Sequence, residues 1–442
     1  MVTVFGVVII TLGGVWGNVW SEEVSPPLAS GTLEQRLSIL ERKLEVAEEA
    51  AADKAKTATK PSAGTDGFSF KSVDGNFGIK FHALLQADGR FFVDDNAGNE
   101  TDQFLLRRVR PSIDGTFYRD FAFNVVPDFA NNGSTVLVDA YLDVKPWTFA
   151  QLRVGKFKPA IGLEHLQSDP NTIFPERSLV STLLPGRDTG MQFSGEVANG
   201  AIGYAAGISN GNGDNNSTGD TDTNDGKEGT SRIYAKPFKN TPIEALQGLH
   251  LGLGASYAKQ NVAAPTYRSS GQQTIFTPTA AAVVDGEKTR LAPEFAWYYR
   301  SVGVLGEWAQ SSQVYRVGTV RSRIVNQGWQ AAVAWTITGE DTTFTGVKPR
   351  KPFDVQTHQW GAWQLAARYH SLHLDPDNVT RGITTNATSV QWANAYTLGV
   401  NWYLNSIVRF SAEFENTTFD KGATTGDKPN EKLALARWQI NF

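Results

Sequence analysis

Apolar or small residues hold every odd position from Phe77 to Val93, namely Phe77, Ile79, Phe81, Ala83, Leu85, Ala87, Gly89, Phe91 and Val93. Lys80, His82, Gln86, Asp88 and Arg90 stand between them. A period of two over this stretch predicts a single β-strand of roughly seventeen residues. Strands of soluble sheets run to ~5–6 residues, whereas a tilted bilayer crossing takes ~9–11 plus extensions beyond the headgroups. The last segment repeats the arrangement, with Ala434, Ala436, Trp438, Ile440 and Phe442 on one face and Arg437, Gln439 and Asn441 on the other. Between these ends, alternating or mixed segments fall at 77–94, 103–118, 120–129, 135–145, 149–159, 188–197, 200–210, 229–237, 247–259, 289–299, 301–314, 324–338, 358–373, 393–404, 406–419 and 431–442, sixteen in all. An even number returns both chain ends to the same side, and a ring of this size leaves a water-filled lumen.

The connections alternate in kind. Tight ones at Tyr118-Arg119-Asp120, Asn199-Gly200, Arg300-Ser301 and Asn405-Ser406 suit periplasmic turns, and the polar stretches 211–228, 260–288 and 374–392 suit extracellular loops. Segment 339–357 breaks the rule, being long yet on the tight-turn side; either that side carries an insertion or the boundaries slip there. The fold expected is all-β: a 16-stranded antiparallel transmembrane β-barrel over 68–442, with a short N-terminal helical, coiled-coil segment.

Residues 2–16 are apolar over the length of a signal-peptide core, so a signal peptide is expected over 1–21. The absence of Lys and Arg before that core leaves a membrane anchor or an upstream start as the other readings. Leu33, Leu37, Leu40, Leu44 and Ala47 recur at steps of four and three, an a/d seam that predicts a coiled-coil helix within 22–50. So short a seam is marginal in isolation and calls for partner chains; a solitary amphipathic helix is the other reading. The small, charged, Pro- and Gly-punctuated stretch that follows reads as a linker over 51–67.

Composition narrows the function. No run after residue 20 reaches the ~18 apolar residues of a spanning helix, while twelve Trp and 42 Gly suit aromatic girdles and many turns. With no Cys there is neither a disulfide nor a thiolate metal site, and a net charge of −4 argues against nucleic acid as a partner. The histidines fall in no catalytic motif; His370 and His373, three apart on a strand, point to opposite faces. The tract Asp214 to Gly226 lacks the terminal Glu of a calcium loop. No enzyme activity, cofactor or metal is expected.

One connection differs from the other long loops. Residues 159–187 are neither Asn/Gly-rich nor simple; Gly162-Leu163-Glu164-His165, Phe174-Pro175-Glu176-Arg177-Ser178 and Pro185-Gly186-Arg187-Asp188 mix apolar anchors with charges. A loop of this kind packs against a wall, and inside the lumen it would form a constriction. The stretches GKFKPAIGLEH, IFPERS and PGRDTGMQFSG resemble the corresponding region of the phosphate- and pyrophosphate-selective porins, the porin O and P family. Leu105-Leu106-Arg107-Arg108-Val109-Arg110, Trp335 to Glu340, Gly361-Ala362-Trp363 and Tyr396 to Tyr403 add to the likeness, which spans roughly 68–442. The resemblance implies a homotrimer whose third loop narrows the pore, with arginines leading anions to a lysine-rich centre. Lys80, Arg107, Arg108 and Asp139 match residue types of that family. His165 stands where its phosphate-specific members carry lysine, and Arg110 and Lys158 where they carry aromatic residues, which puts strict phosphate specificity in doubt.

Strand parity turns Lys80, Arg90, Arg108, Arg110, Arg153, Arg368, Arg409 and Arg437 to the lumen, opposed by Asp88, Asp114, Asp128, Asp139, Asp143, Glu307, Glu413 and Glu415. These balance, so the anion preference rests on the loop-adjacent cluster of Arg153, Lys156, Lys158, Arg177 and Arg187, and His165 is counted with them and with Lys80, Arg90, Arg108 and Arg110 among the pore residues. Lys156 and Lys158 have the opposite parity to Arg153 and reach the lumen only if the strand bends or ends before them. The expected function is passive diffusion of phosphate-like anions through a homotrimer set in outer-membrane lipid, the N-terminal segment lying in the periplasm where it meets peptidoglycan or its own copies. A general, weakly selective porin and a non-conducting structural barrel or adhesin remain the alternatives.

Overall fold

The structure is a computed structural model in which residues 32–57, 59–94, 100–131, 134–211, 213–215, 222 and 224–442 are described; the expected signal peptide, 1–21, lies outside them. Sixteen strands build the wall. The first eight are β1 (Phe77–Phe92), β2 (Gln103–Phe117), β3 (Phe121–Asn131), β4 (Ser134–Trp147), β5 (Ala150–Phe157), β6 (Asp188–Val197), β7 (Ile202–Ser209) and β8 (Glu228–Ala235). The second eight are β9 (His250–Ala263), β10 (Ala282–Tyr299), β11 (Val302–Val317), β12 (Val320–Thr336), β13 (Ala362–His373), β14 (Val390–Tyr403), β15 (Val408–Lys421) and β16 (Glu431–Asn441). Each pairs antiparallel with its chain neighbour, and β16 pairs with β1, from Leu433 opposite Phe92 to Asn441 opposite Leu84, closing the ring.

Every predicted segment overlaps one of these strands. The largest displacement is at β10, which begins seven residues before the expected 289, because the ladder continues through a bulge at Gly286, φ 146°, where the register slips between Val284 and Lys288. The alternation is plain in β12. Trp329, Val333 and Trp335 stand on the outer surface while Ile324, Asn326 and Gln330 are buried inside.

The long segment on the tight-turn side is an insertion. Residues 337–361 join β12 to β13 at the end where β1 starts and β16 finishes, the termini side of the barrel wall, and fold back into the barrel mouth, where the Phe344 carbonyl accepts a hydrogen bond of 2.6 Å from Gln167 Nε2.

The expected linker over 51–67 is narrower than its composition suggested. Helix α1 (Leu33–Thr57) runs past 50 through Ala51, Ala52 and Lys54, all good helix formers. Lys60–Gly64 and Gly67–Lys71 then form a hairpin whose second strand pairs with β1, from Phe68 opposite Phe81 to Lys71 opposite Gly78. Within α1 the seam residues Leu33, Leu37, Leu40 and Leu44 are all exposed. Among the described residues no helix is long and apolar enough to cross a membrane.

Candidate functional site

After β5 the chain turns into the barrel at Lys158-Pro159, since proline cannot donate to the ladder. Gly162, at φ 80°, makes the next turn; a Cβ there would lie 2.2 Å from Leu184 Cδ1. One turn of helix follows at Leu163–Leu166, with the Leu163 amide donating to Glu307 Oε1 of β11 at 2.7 Å, and short 3₁₀ turns stand at Asp169–Asn171 and Leu179–Leu183. Ile161, Leu179, Val180, Leu183 and Leu184 are fully buried against wall and loop residues including Tyr267, Ala292, Tyr315, Ile324 and Leu372. Burying five such side chains contributes on the order of 10 kcal/mol to holding the loop inside.

Polar wall residues complete the attachment. Arg409 donates to the Thr172 carbonyl and Arg368 to that of Glu176, each at 2.9 Å, Asn401 to that of Ile173 at 2.8 Å, and Gln439 to that of Pro170 at 3.1 Å. His370 Nδ1 accepts from the Leu179 amide at 3.1 Å. Arg368, Arg409 and Arg437, which parity turned to the lumen, therefore serve as loop anchors; Arg437 donates to the Pro175 carbonyl and to Glu176.

Two loop carboxylates gather the remaining arginines. Glu176 accepts from Arg90 at 2.9 Å, Arg107 at 2.7 Å and Arg437 at 2.8 Å. Asp169 pairs with Arg108 at 3.2 Å, Arg177 at 2.6 Å and Arg110. Burial raises the pKa of both acids, but the arginines around them outweigh it and hold each carboxyl well below its ordinary value. They remain anionic and fix the guanidinium planes.

Arg107 reaches this network against its parity. Gln86 opposes Arg108 while Ala87 opposes Leu106, so Arg107 is the extra residue of a bulge that turns two consecutive arginines inward.

Two chambers flank the loop. The far one, about 230 Å³, is lined by Arg107, Arg108, Arg110, Lys158, Arg177, Arg187 and Arg268 against Asp169 and Glu176, seven cationic side chains to two carboxylates. The other, on the termini side and about 360 Å³, includes His82, Asp139, Tyr141, Arg153 and Phe157. Arg110, Lys158, Asp169 and Arg187 line both, which places the narrowing between them.

At that boundary β5 ends at Phe157, so Lys158 leaves the ladder and donates to the carbonyls of His165 at 2.7 Å and Gln167 at 3.4 Å. Its burial, with Arg177 and Arg187 beside it, pushes its pKa well down. Arg187 pairs with Asp139 at 3.0 Å. Arg153 pairs with Asp143 at 2.7 Å and lies 3.7 Å over the Tyr141 ring. His165, buried on the far-chamber wall, is kept neutral by burial and by Lys158, Arg177 and Arg187; its Nε2 makes no hydrogen bond among the described residues.

Of the candidates read from the sequence, Arg108, Arg110, Arg153, Lys158, His165, Arg177 and Arg187 converge on these chambers. Three lie elsewhere. Arg90 is buried between Asp88 and Glu176 as part of the loop attachment. Lys156, one residue before the strand end, is buried opposite Ala140 and Thr189 and lines neither chamber. Lys80 stands opposite Asp114 and Ser69, on the termini side of the narrowing. Arg268, from the loop between β9 and β10, was not foreseen, since nothing in its local sequence marks it as turned inward.

Comparison with known proteins agrees with this architecture. The chain is 28% identical over 392 residues to Porin O of Pseudomonas aeruginosa, covering 80% of this chain and 86% of the relative. Its fold is similar to the outer membrane channel DcaP of Acinetobacter baumannii, with a TM-score of 0.55 at 13% identity, covering 84% of this chain and 99% of that one. It is also similar to a loop-deletion variant of OmpT, an outer membrane protein of Vibrio cholerae, with a TM-score of 0.54 at 11% identity, covering 83% and 100%. The model of the family described as phosphate-selective porin O and P matches residues 79–442, and the chain belongs to that family of bacterial outer-membrane channels.

Proposed function

We propose that the chain is a passive channel that prefers anions such as phosphate or polyphosphate and works as a homotrimer. The observation that carries this is the far chamber's seven cationic groups against two carboxylates at the entry to the narrowing. The guanidinium forks there match phosphate and carboxylate geometry, and a lumen of reduced dielectric strengthens each attraction. Balanced wall charge, which favoured a general porin, weighs less here because Asp88 is paired with Arg90 and Arg437, and Glu307 and Glu415 accept from loop and wall donors. The neutral His165 argues for anion preference without strict phosphate specificity. Membership of the family described as phosphate-selective porin O and P supports phosphate as the class of solute. The exposed leucine seam of α1 supports self-association, and a trimer form is recorded for OmpT of Vibrio cholerae. In this reading α1 stands in the periplasm, available to peptidoglycan or to its own copies.

Reversal potentials in planar bilayers under a KCl gradient, with and without added phosphate, test the proposal. An anion-favouring potential, and chloride current reduced by phosphate, are expected. A cation-favouring potential would overturn the preference, and absence of conductance would overturn the channel.

A further inference from the structure

The termini-side chamber opens on one flank into a space that the anion path does not need. A cavity of about 310 Å³ shares Arg153, Lys158 and Leu166 with that chamber, and shares Leu166, Arg232 and Tyr234 with a further pocket of about 470 Å³. This last pocket differs in kind from the arginine-lined chambers. Its floor is Leu163 and Leu166 of the inward loop, Ala296 and Tyr298 of β10, and Phe344. Phe344 comes from the 337–361 insertion, so the long segment on the wrong side of the barrel supplies a wall of this pocket.

The charges around it leave a surplus. Arg232 is answered by Glu294, which His250 also meets at 2.9 Å, and Glu196 is taken by the Tyr234 hydroxyl. Among the described residues Lys236 and Lys239, on the rim, form no ion pair, Glu196, already held by Tyr234, being the one carboxylate beside them; Lys236 Nζ lies 5.4 Å over the Tyr234 ring. The Tyr298 hydroxyl on the pocket wall is buried and makes no hydrogen bond among the described residues. A concave apolar site with a few convergent polar groups is the ordinary form of a small-molecule pocket.

We propose that this pocket binds a small aromatic monocarboxylate of the benzoate class, its ring against Phe344, Tyr298 and Leu163 and its carboxylate at Lys236 and Lys239. A ring fits the floor because aromatic pairs gain beyond the area they bury. Inorganic phosphate has no apolar part with which to use that floor, and burying a doubly charged ion against it is unfavourable.

Calorimetric titration of the whole detergent-solubilised protein with benzoate, cyclohexanecarboxylate, acetate and inorganic phosphate tests this without relying on conductance, so its outcome is separable from that of the anion-channel proposal. Benzoate is expected to bind on the order of tenfold more tightly than acetate, and several-fold more tightly than cyclohexanecarboxylate. Phe344→Ala should weaken benzoate by about tenfold while leaving phosphate unchanged. Lys236→Gln with Lys239→Gln, both in the turn after β8, should weaken benzoate and acetate alike. Equal affinity for benzoate and acetate would overturn the proposal, as would unchanged benzoate binding in the two-lysine variant, which keeps the test open if Phe344→Ala fails to fold.

Discussion

Replacing Arg110 by Gln isolates the charge at the narrowing from the structure that holds it. Arg110 lines both chambers and contacts Asp128 at 2.7 Å and Asp169. Without it Asp169 keeps Arg108 and Arg177, and Asp128 keeps the amides of Val109 at 3.1 Å and Ala130 at 3.0 Å. The far chamber falls from seven cationic groups to six. A unit charge about 5 Å from a passing ion is worth about 0.8 kcal/mol in a water-like medium and about 3 kcal/mol at an effective dielectric of 20. Because the anion loses that attraction and the cation loses an equal repulsion, the lower figure alone reduces the anion-to-cation permeability ratio about sixteenfold. For a pore with a ratio of about 100 under a tenfold KCl gradient, where full selectivity gives about 59 mV, that is a loss of roughly 20 mV of reversal potential. Lys156→Gln serves as the control, because Lys156 lines neither chamber, and it should leave the potential within a few millivolts by the same Coulomb argument. An Arg110→Gln channel indistinguishable from wild type, or a Lys156→Gln channel that shifts as far, would refute the placement of the narrowing.

Gly162→Ala should release the inward loop: with φ at 80° and the new methyl 2.2 Å from Leu184 Cδ1, the turn is strained by about 1–3 kcal/mol, and single-channel conductance should rise as selectivity falls. Lys158, whose pKa is pushed down, should lose its proton at a lower pH than its ordinary 10.5, so anion preference should fall as pH rises below that value in wild type and less so in Lys158→Met, measured by reversal potential. Glu176 and Asp169 titrate below their ordinary 4.5 and 3.8; their contribution to loop attachment is therefore complete above those values and lost only as pH falls through the lower folded-state values. Conductance should show no loop release between pH 7 and about 4, and an opening at about pH 5 would contradict their depressed pKa values. Leu37→Glu with Leu40→Glu should reduce the trimer fraction in size-exclusion chromatography with light scattering while leaving unit conductance intact, since both residues lie on the exposed seam of α1.

The wall was legible from residue order because a pleated strand has a side-chain period of two and the lipid punishes any error in it. Function was less legible where that period fails or where a partner is distant. Arg107 is turned inward by one inserted residue, and the adjacent pair Arg107-Arg108 in an alternating strand was its only local sign. Lys156 and Lys158 look alike in sequence, but the strand ends between them. Arg368, Arg409 and Arg437 were placed on the correct face, but their task as loop anchors was not legible, since the carbonyls they bind belong to a loop about 190 to 260 residues earlier. The neutrality of His165 depends first on burial and then on three cations, both of which only the fold supplies. The 337–361 insertion was visible as an anomaly of length, while its return into the barrel mouth depends on Phe344 and Gln167 meeting across the lumen.

The hairpin beneath the barrel seam bears on assembly. β1 pairs with β16 from Leu84 to Phe92, and the Val93 amide donates to the Lys432 carbonyl beyond it; Ala83 exchanges hydrogen bonds of 3.1 and 3.2 Å with Phe442, and Gly78 to Phe81 are taken by Phe68 to Lys71. One strand edge is thus shared end to end by the last residues of the chain and by residues that precede the barrel. A chain lacking either piece leaves bare amide and carbonyl groups at the point where the sheet must close. Closure of the ring therefore waits on two pieces far apart in sequence, the hairpin that precedes β1 and the strand β16.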